Sequence, residues 1–159
     1  MTEAIEVIGE SSFLFDFNGI KLLTDPWFGE AIYGGAWSQF PMPYLEPSQI
    51  RNISYIFISH VHSDHCCIES IKKVLRNSPD CKFLVMDRGE KPCYLTKKLS
   101  AILKGDFLDR VVLLKPYVEY TISNITLWCL PPSADNAINE LIDSSLLLKS
   151  SKGLVLFAN

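Results

Sequence analysis

This chain has little histidine, no paired-cysteine motif, no excess of basic charge and no long apolar run. Each absence excludes something. Fifteen Lys and Arg against eighteen Asp and Glu leave a formal net charge of -3, which removes the electrostatic attraction that a nucleic acid or an anionic membrane surface would exploit. No stretch approaches the ~18 consecutive apolar residues of a membrane-spanning helix. The opening "MTEAIEVIGE" lacks the basic and apolar regions of a secretory signal, so a cytoplasmic location is expected. The five cysteines, Cys66, Cys67, Cys81, Cys93 and Cys129, are odd in number and contain no C-x-x-C pair. That spacing suits neither a disulfide framework nor a zinc finger, and they read as small buried hydrophobes. No internal repeat and no low-complexity tract is present.

What is present suffices for one folded domain: 159 residues, 48% of them hydrophobic, enough to bury a core. "IEVIG" (Ile5–Gly9) and "SFLFDF" (Ser12–Phe17) read as strands. Asn18-Gly19 follows, the strongest short hairpin signal, and "IKLLT" (Ile20–Thr24) returns antiparallel until Asp25-Pro26 ends it. Residues 27–47, "WFGEAIYGGAWSQFPMPYLEP", form a loop too long for a simple connector and too aromatic for disorder. Its rings either wall a substrate pocket or cap one end of a sheet. "YIFIS" (Tyr55–Ser59) is a continuous apolar run of the kind found in strands buried on both faces. Ile68, Ile71, Val74 and Leu75 then recur at helical spacing and stop before Pro79. "KFLVM" (Lys82–Met86) is a second buried strand. "KPCYLTKKLSAILKG" carries a proline at its first turn and a glycine after its last, as a helix does. "RVVLLK" is a further strand, and "YVEYTI", "ITLWCL", "SLLLKS" and "GLVLFAN" read as antiparallel hairpin strands. Hairpins, then βαβα units, then hairpins again predict a mixed sheet with helices on one face.

All three histidines lie within six consecutive positions of "FISHVHSDHC", Phe57–Cys66. The segment follows a buried strand, so it leaves the sheet at the C-terminal edge, where α/β folds place ligands. In an extended chain His60 and His62 point the same way, and the turn into the following helix brings Asp64 and His65 alongside. Imidazole and carboxylate are the ligands that zinc and similar metals accept at about 2.0–2.2 Å. As an isolated residue Asp64 would serve as a helix N-cap, but that explanation does not extend to the set.

The H-x-H-x-D-H stretch "HVHSDH", after a buried strand and a preceding "TDPW", resembles the metallo-β-lactamase fold hydrolases. The likeness runs through "LLTDPWF", "YIFISHVHSDH" and "SSLLLKSSKGLVLFAN". It is most similar to the branch holding ascorbate-lactonase-like and phospholipase-D-like hydrolases and the metal-binding part of CMP-N-acetylneuraminate hydroxylase. The resemblance implies an α/β (α+β) chain with an αββα sandwich. Residues 1–159 would be one domain corresponding to the N-terminal half, a half-sandwich of one mixed sheet with helices on one face. It also implies that His60 and His62 hold a first metal, Asp64 and His65 a second, and that Asp64 orients a metal-bound water. The ions would be Zn2+, one or two, with Mn2+ or Fe2+ as alternatives. A metal-activated hydroxide would then attack a small ester, lactone, phosphodiester or nucleotide-sugar-type substrate. Asp25 sits near the site in this family, although capping the Asp25-Pro26 turn explains it equally well.

Two features depart from the family pattern. The loop after "ITLWCL" contains no histidine, leaving Ser133, Asp135 and Asn136 as its nearest polar groups and Asp135 as the only one suited to a metal. Asp143 precedes a strand and reads as a turn or capping residue. Asn159 lies at or just before the place of a bridging aspartate, and a neutral amide bridges two cations poorly. A half-sandwich would expose one apolar sheet face, so the partners expected are a missing C-terminal half or a second copy, besides the small-molecule substrate. Two other functions fit the same residues: a non-catalytic, self-associating half-domain with a partial metal site, and an oxygenase-associated subunit. No C-x-H or C-x-x-H segment of a Rieske cluster occurs in the chain.

Overall fold

The computed structural model of the protein describes residues 3–89, 94–103, 107–132 and 143–158. In chain order its elements are β1 (Glu3–Val7), β2 (Phe13–Phe17), β3 (Ile20–Thr24), β4 (Tyr55–Ile58), α1 (Ile68–Asn77), β5 (Lys82–Met86), α2 (Tyr94–Leu103), the single turn α3 (Phe107–Arg110), β6 (Val111–Leu114), β7 (Glu119–Ile122), β8 (Ile125–Leu130), β9 (Ser145–Ser150) and β10 (Gly153–Phe157). The boundaries match the pattern of apolar runs to within two residues for most strands. The expected Asn18-Gly19 turn has both residues at positive φ, 56° and 93°, the backbone that joins two strands without splaying them.

Six strands make a mixed sheet in the order β1-β2-β3-β4-β5-β6. The first three are antiparallel hairpins, and β3 through β6 run parallel. The central strands β4 and β5 are buried on both faces, which is why they read as unbroken apolar runs. Their side chains alternate between two cores. Ile56, Ile58, Phe83 and Val85 pack with Ile71 and Val74 of α1 and Leu95 and Leu99 of α2. Phe57, Leu84 and Met86 point the other way.

The opposite face is not left bare, and here the half-sandwich expectation is corrected. The last four strands form a second, antiparallel sheet in the order β10-β9-β8-β7. Ile125, Leu127, Cys129, Leu146, Leu148 and Phe157 of that sheet pack against Phe15, Phe17, Leu22, Phe57, Leu84, Met86 and Leu114 of the first. The physical cause is the period-2 pattern of β8 and β9, which buries every second residue. The chain therefore builds three layers, α/β/β, by itself. Leu154 and Leu156 of β10 alternate with the buried Phe157 and remain 64% and 56% exposed on the outer side. Among the described residues no helix is long and apolar enough to cross a membrane.

The aromatic loop is ordered and divided in its use. Trp27, Phe28 and Ile32 are buried, whereas Tyr33, Trp37, Phe40 and Tyr44 are exposed. Cys66, Cys67, Cys81 and Cys129 are buried free thiols, as expected. Burial pushes the Cys66 thiol up to about 12, and Cys81 and Cys129 up to about 11, so these three are poor nucleophiles at neutral pH. Cys93 and the predicted helix-starting Pro92 lie outside the described residues.

Candidate metal centre

Strand β4 ends at Ile58, and the next residues leave the sheet at its C-terminal edge beside the end of β3. There Asp25, fully buried and at φ 36°, donates its backbone N–H to the Phe57 carbonyl at 2.9 Å. Its carboxylate turns toward the histidine loop. Oδ1 accepts the Ser59 backbone N–H at 2.8 Å, and Oδ2 accepts the Ser59 hydroxyl at 2.5 Å. The same Oδ2 lies 3.0 Å from Nδ1 of His65. Burial raises the Asp25 pKa, and the hydrogen bonds from His65 and Ser59 oppose that rise. The turn explanation for Asp25 is thus incomplete: the side chain organises the loop that follows β4.

From Asp25 a chain of hydrogen bonds sets the histidine tautomers. His65 gives its Nδ1 proton to Asp25, so Nε2 is its inward nitrogen. Ser59 has spent its proton on Asp25, so its oxygen accepts from Nδ1 of His60 at 3.0 Å. Oδ1 of Asp143 is also 3.0 Å from that nitrogen. Nε2 of His60 then faces Nδ1 of His62 at 2.9 Å. Nε2 of His65 faces Oδ2 of Asp64 at 3.2 Å. The His60 ring centroid lies 4.6 Å from that of His62 and 4.2 Å from that of His65. The four residues singled out from the sequence, His60, His62, Asp64 and His65, are therefore linked side by side through pairwise contacts.

Electrostatics differ between the two buried rings. Burial, followed by the neighbouring charge of His65, lowers the His60 pKa to about 4, so His60 is a neutral imidazole at pH 7 and its contact with Asp143 is a hydrogen bond rather than an ion pair. Burial also opposes charge on His65, but the hydrogen bond and charge of Asp25 outweigh it and raise that pKa.

The donor set fits a divalent cation. In each facing pair, lone pairs meet unless a proton or a metal ion lies between them, and neutral imidazole with carboxylate is the chemistry such ions take. Among the described residues no three His, Cys, Asp or Glu side chains converge on one point as a finished shell. They are drawn together as facing pairs instead, His60 with His62 and His65 with Asp64. The suggested N-cap role for Asp64 is not met, since Cys67 occupies that position of α1. Asp64 is held instead by the aromatic loop: its Oδ1 accepts the Tyr33 hydroxyl at 3.0 Å.

Sequence reasoning missed the part played by Ser59, Tyr33 and Asp143. Asp143 read as a turn residue, but the segment entering β9 crosses to the site, where Ser144 also donates its hydroxyl to the Ser59 carbonyl at 2.8 Å. No local signal betrays such a crossing. Ser133, Asp135, Asn136 and Asn159 lie outside the described residues.

Residues 4–143 match the model of the Beta-lactamase superfamily domain, and the chain belongs to that family. Its architecture is that of the metallo-β-lactamase fold. Over 132 residues it is 25% identical to N-acyl-phosphatidylethanolamine-hydrolyzing phospholipase D 1 of Caenorhabditis elegans, covering 78% of this chain and 35% of that protein. Over 85 residues it is 31% identical to the cytidine monophosphate-N-acetylneuraminic acid hydroxylase of Sus scrofa, covering 52% of this chain and 19% of the relative. The chain thus spans well under half the length of either. The crystal structure of CmlA, a diiron beta-hydroxylase from Streptomyces venezuelae, superposes with a TM-score of 0.69 at 21% identity, covering 98% of this chain and 29% of that one.

Proposed function

We propose that this chain is the metal-binding part of a metal-dependent hydrolase acting on a small ester, lactone, phosphodiester or nucleotide-sugar-type substrate. The observation that carries the proposal is the pairing of His60 with His62 and of His65 with Asp64, donor atom to donor atom at 2.9 and 3.2 Å. His60 and His62 would hold one ion and Asp64 and His65 a second, with zinc favoured by the ligand types and manganese or iron as alternatives. A bound divalent ion supplies a water acidified toward neutral pH and positive charge for the developing oxyanion. The protein's own part is preorganisation. Asp25 and Ser59 hold His65 and His60 in the tautomers that turn unprotonated nitrogens inward, and Asp64 orients the attacking water. Completion of the domain by further chain or by a second copy belongs to the same proposal; a monomer at every concentration in sedimentation argues against the second copy.

Metal analysis of the purified protein, with turnover measured on a panel of phosphodiesters and lactones, tests this reading. Bound zinc, manganese or iron is expected, with both metal and turnover lost in His60→Ala. Absence of metal after supplementation, or an unaltered His60→Ala protein, sinks it. A second reading, a metal-dependent hydroxylase, is favoured by the likeness to two hydroxylases. It predicts tight retention of iron and consumption of dioxygen, with no turnover on the hydrolytic panel.

A further inference from the structure

We propose that Tyr33 is a positioning residue of this centre, whose hydroxyl fixes Asp64 and so couples metal binding at Asp64 and His65 to the docking of the aromatic loop. The inference rests on the metal reading above and adds to it a residue and a linkage. The Tyr33 hydroxyl is engaged on both sides: it donates to Oδ1 of Asp64 at 3.0 Å and accepts the Ser63 backbone N–H at 3.3 Å. Two such bonds fix its direction. With Oδ1 held by the loop, the carboxylate has only Oδ2 to turn toward Nε2 of His65, at 3.2 Å. A flexible two-oxygen ligand is thereby reduced to one inward oxygen, which is how a partner behind a metal ligand raises affinity.

Nothing in the core requires a tyrosine here. The side chain is 50% exposed, and its backbone takes φ 52°, followed by Gly34 at 68° and Gly35 at 92°. A residue with a bulky side chain rarely occupies that left-handed region, and where it does the neighbourhood imposes it. The neighbourhood here is a closed loop clamped to the helix layer. Ile32 and Trp37 exchange backbone hydrogen bonds at 2.9 and 3.3 Å. Glu30, three residues before Tyr33, ties the loop to α1 through Ser70 at 2.7 Å and Lys73 at 2.6 Å. The Tyr33 ring meets Trp37 edge-on, centroids 5.7 Å apart at 86°. The indole therefore reports on the position of the phenol. Because linkage is reciprocal, an ion that tightens Asp64 must also tighten the loop.

Zinc titration against a chromophoric chelator, read together with tryptophan emission, tests this on the wild type, Tyr33→Phe and Trp37→Phe. The conservative Tyr33→Phe change keeps the ring and removes only the hydroxyl; equal thermal unfolding shows that it folds. We expect the ion held by Asp64 and His65 to bind about tenfold more weakly in Tyr33→Phe. Zinc should change the emission of the wild type and leave that of Tyr33→Phe unchanged, while Trp37→Phe, which loses the signal but keeps the affinity, assigns it to Trp37. Wild-type affinity in Tyr33→Phe overturns the proposal while leaving the metal reading intact. A wild type that takes up neither zinc, manganese nor iron overturns both.

Discussion

Asp25 is a carboxylate with no exposure at the end of a strand, a placement that costs free energy unless every lone pair is used. Ser59 and His65 use them, and the result is a histidine whose outward nitrogen always carries the proton. The chemistry of the site thus depends on a residue that touches no reacting group. Asp25→Asn tests the point. An amide NH2 facing His65 turns the ring to its other tautomer, placing the proton on Nε2 and removing the lone pair turned toward Asp64. Metal affinity should fall by about 10- to 100-fold, measured by chelator competition, with a smaller effect on unfolding than on binding. Of the candidate site, His60, His62, Asp64 and His65 drew notice in the sequence because they stand together in one loop. Ser59 lies in the same stretch, yet serine is too common to draw notice. Tyr33 and Asp143 reach the loop from 30 and 83 residues away in sequence, distances at which only the folded chain makes neighbours.

Among the elements, the aromatic loop and α1 form the pair that the sequence described least well. Its composition said that it was ordered but not what ordered it. Glu30 does so: its carboxylate meets Lys73, Ser70 and the Phe28 N–H. Burial alone would raise its pKa, but the hydrogen bonds from Lys73 and Ser70 outweigh this and hold it below the ordinary glutamate value. A group whose folded pKa is depressed stabilises the fold above its unfolded pKa and loses that contribution as pH falls through the folded one. The loop anchor should therefore hold at neutral pH and fail in acid, as the pH falls through that lowered pKa. Acid unfolding followed by fluorescence should show Glu30→Gln less stable than the wild type at pH 7, with the difference closing as the pH drops below that value. A constant difference across the range would show that the Glu30 charge is not what anchors the loop. The strands behaved oppositely: β3, β5, β8 and β9 coincide with their apolar runs residue for residue, because burial on a pleated sheet imprints itself directly on the alternation of side chains.

For the whole molecule, the centre joins β3, β4, the turn before α1, the aromatic loop and the entry to β9, so both sheets meet there. An ion seated at such a junction stabilises the folded chain against the unfolded one. At a concentration one hundred times the dissociation constant the gain is about 2.7 kcal/mol, and at ~2–4 °C per kcal/mol for a domain of this size the melting temperature should rise by roughly 5–10 °C. Calorimetry with and without a chelator measures it, and a chelator-insensitive transition would show that no ion is bound at the junction. The three-layer architecture was legible only in part. The hairpin order after Lys115 was evident, but whether those strands extended the first sheet or lay across it was not. Alternation specifies that one face is apolar, not which other face it meets.

The sequence by itself determined the local features: strands, helices, the Asn18-Gly19 turn, and a loop that gathers four ligand-type residues. Each depends on neighbours a few positions away, where covalent geometry and side-chain periodicity act. Tertiary structure decided that the late hairpins close over the first sheet, that Asp25 sets the tautomers, and that Tyr33 and Asp143 complete the surroundings of the histidines. Those choices depend on burial and on hydrogen bonds between distant segments, and they exist only once the chain is packed.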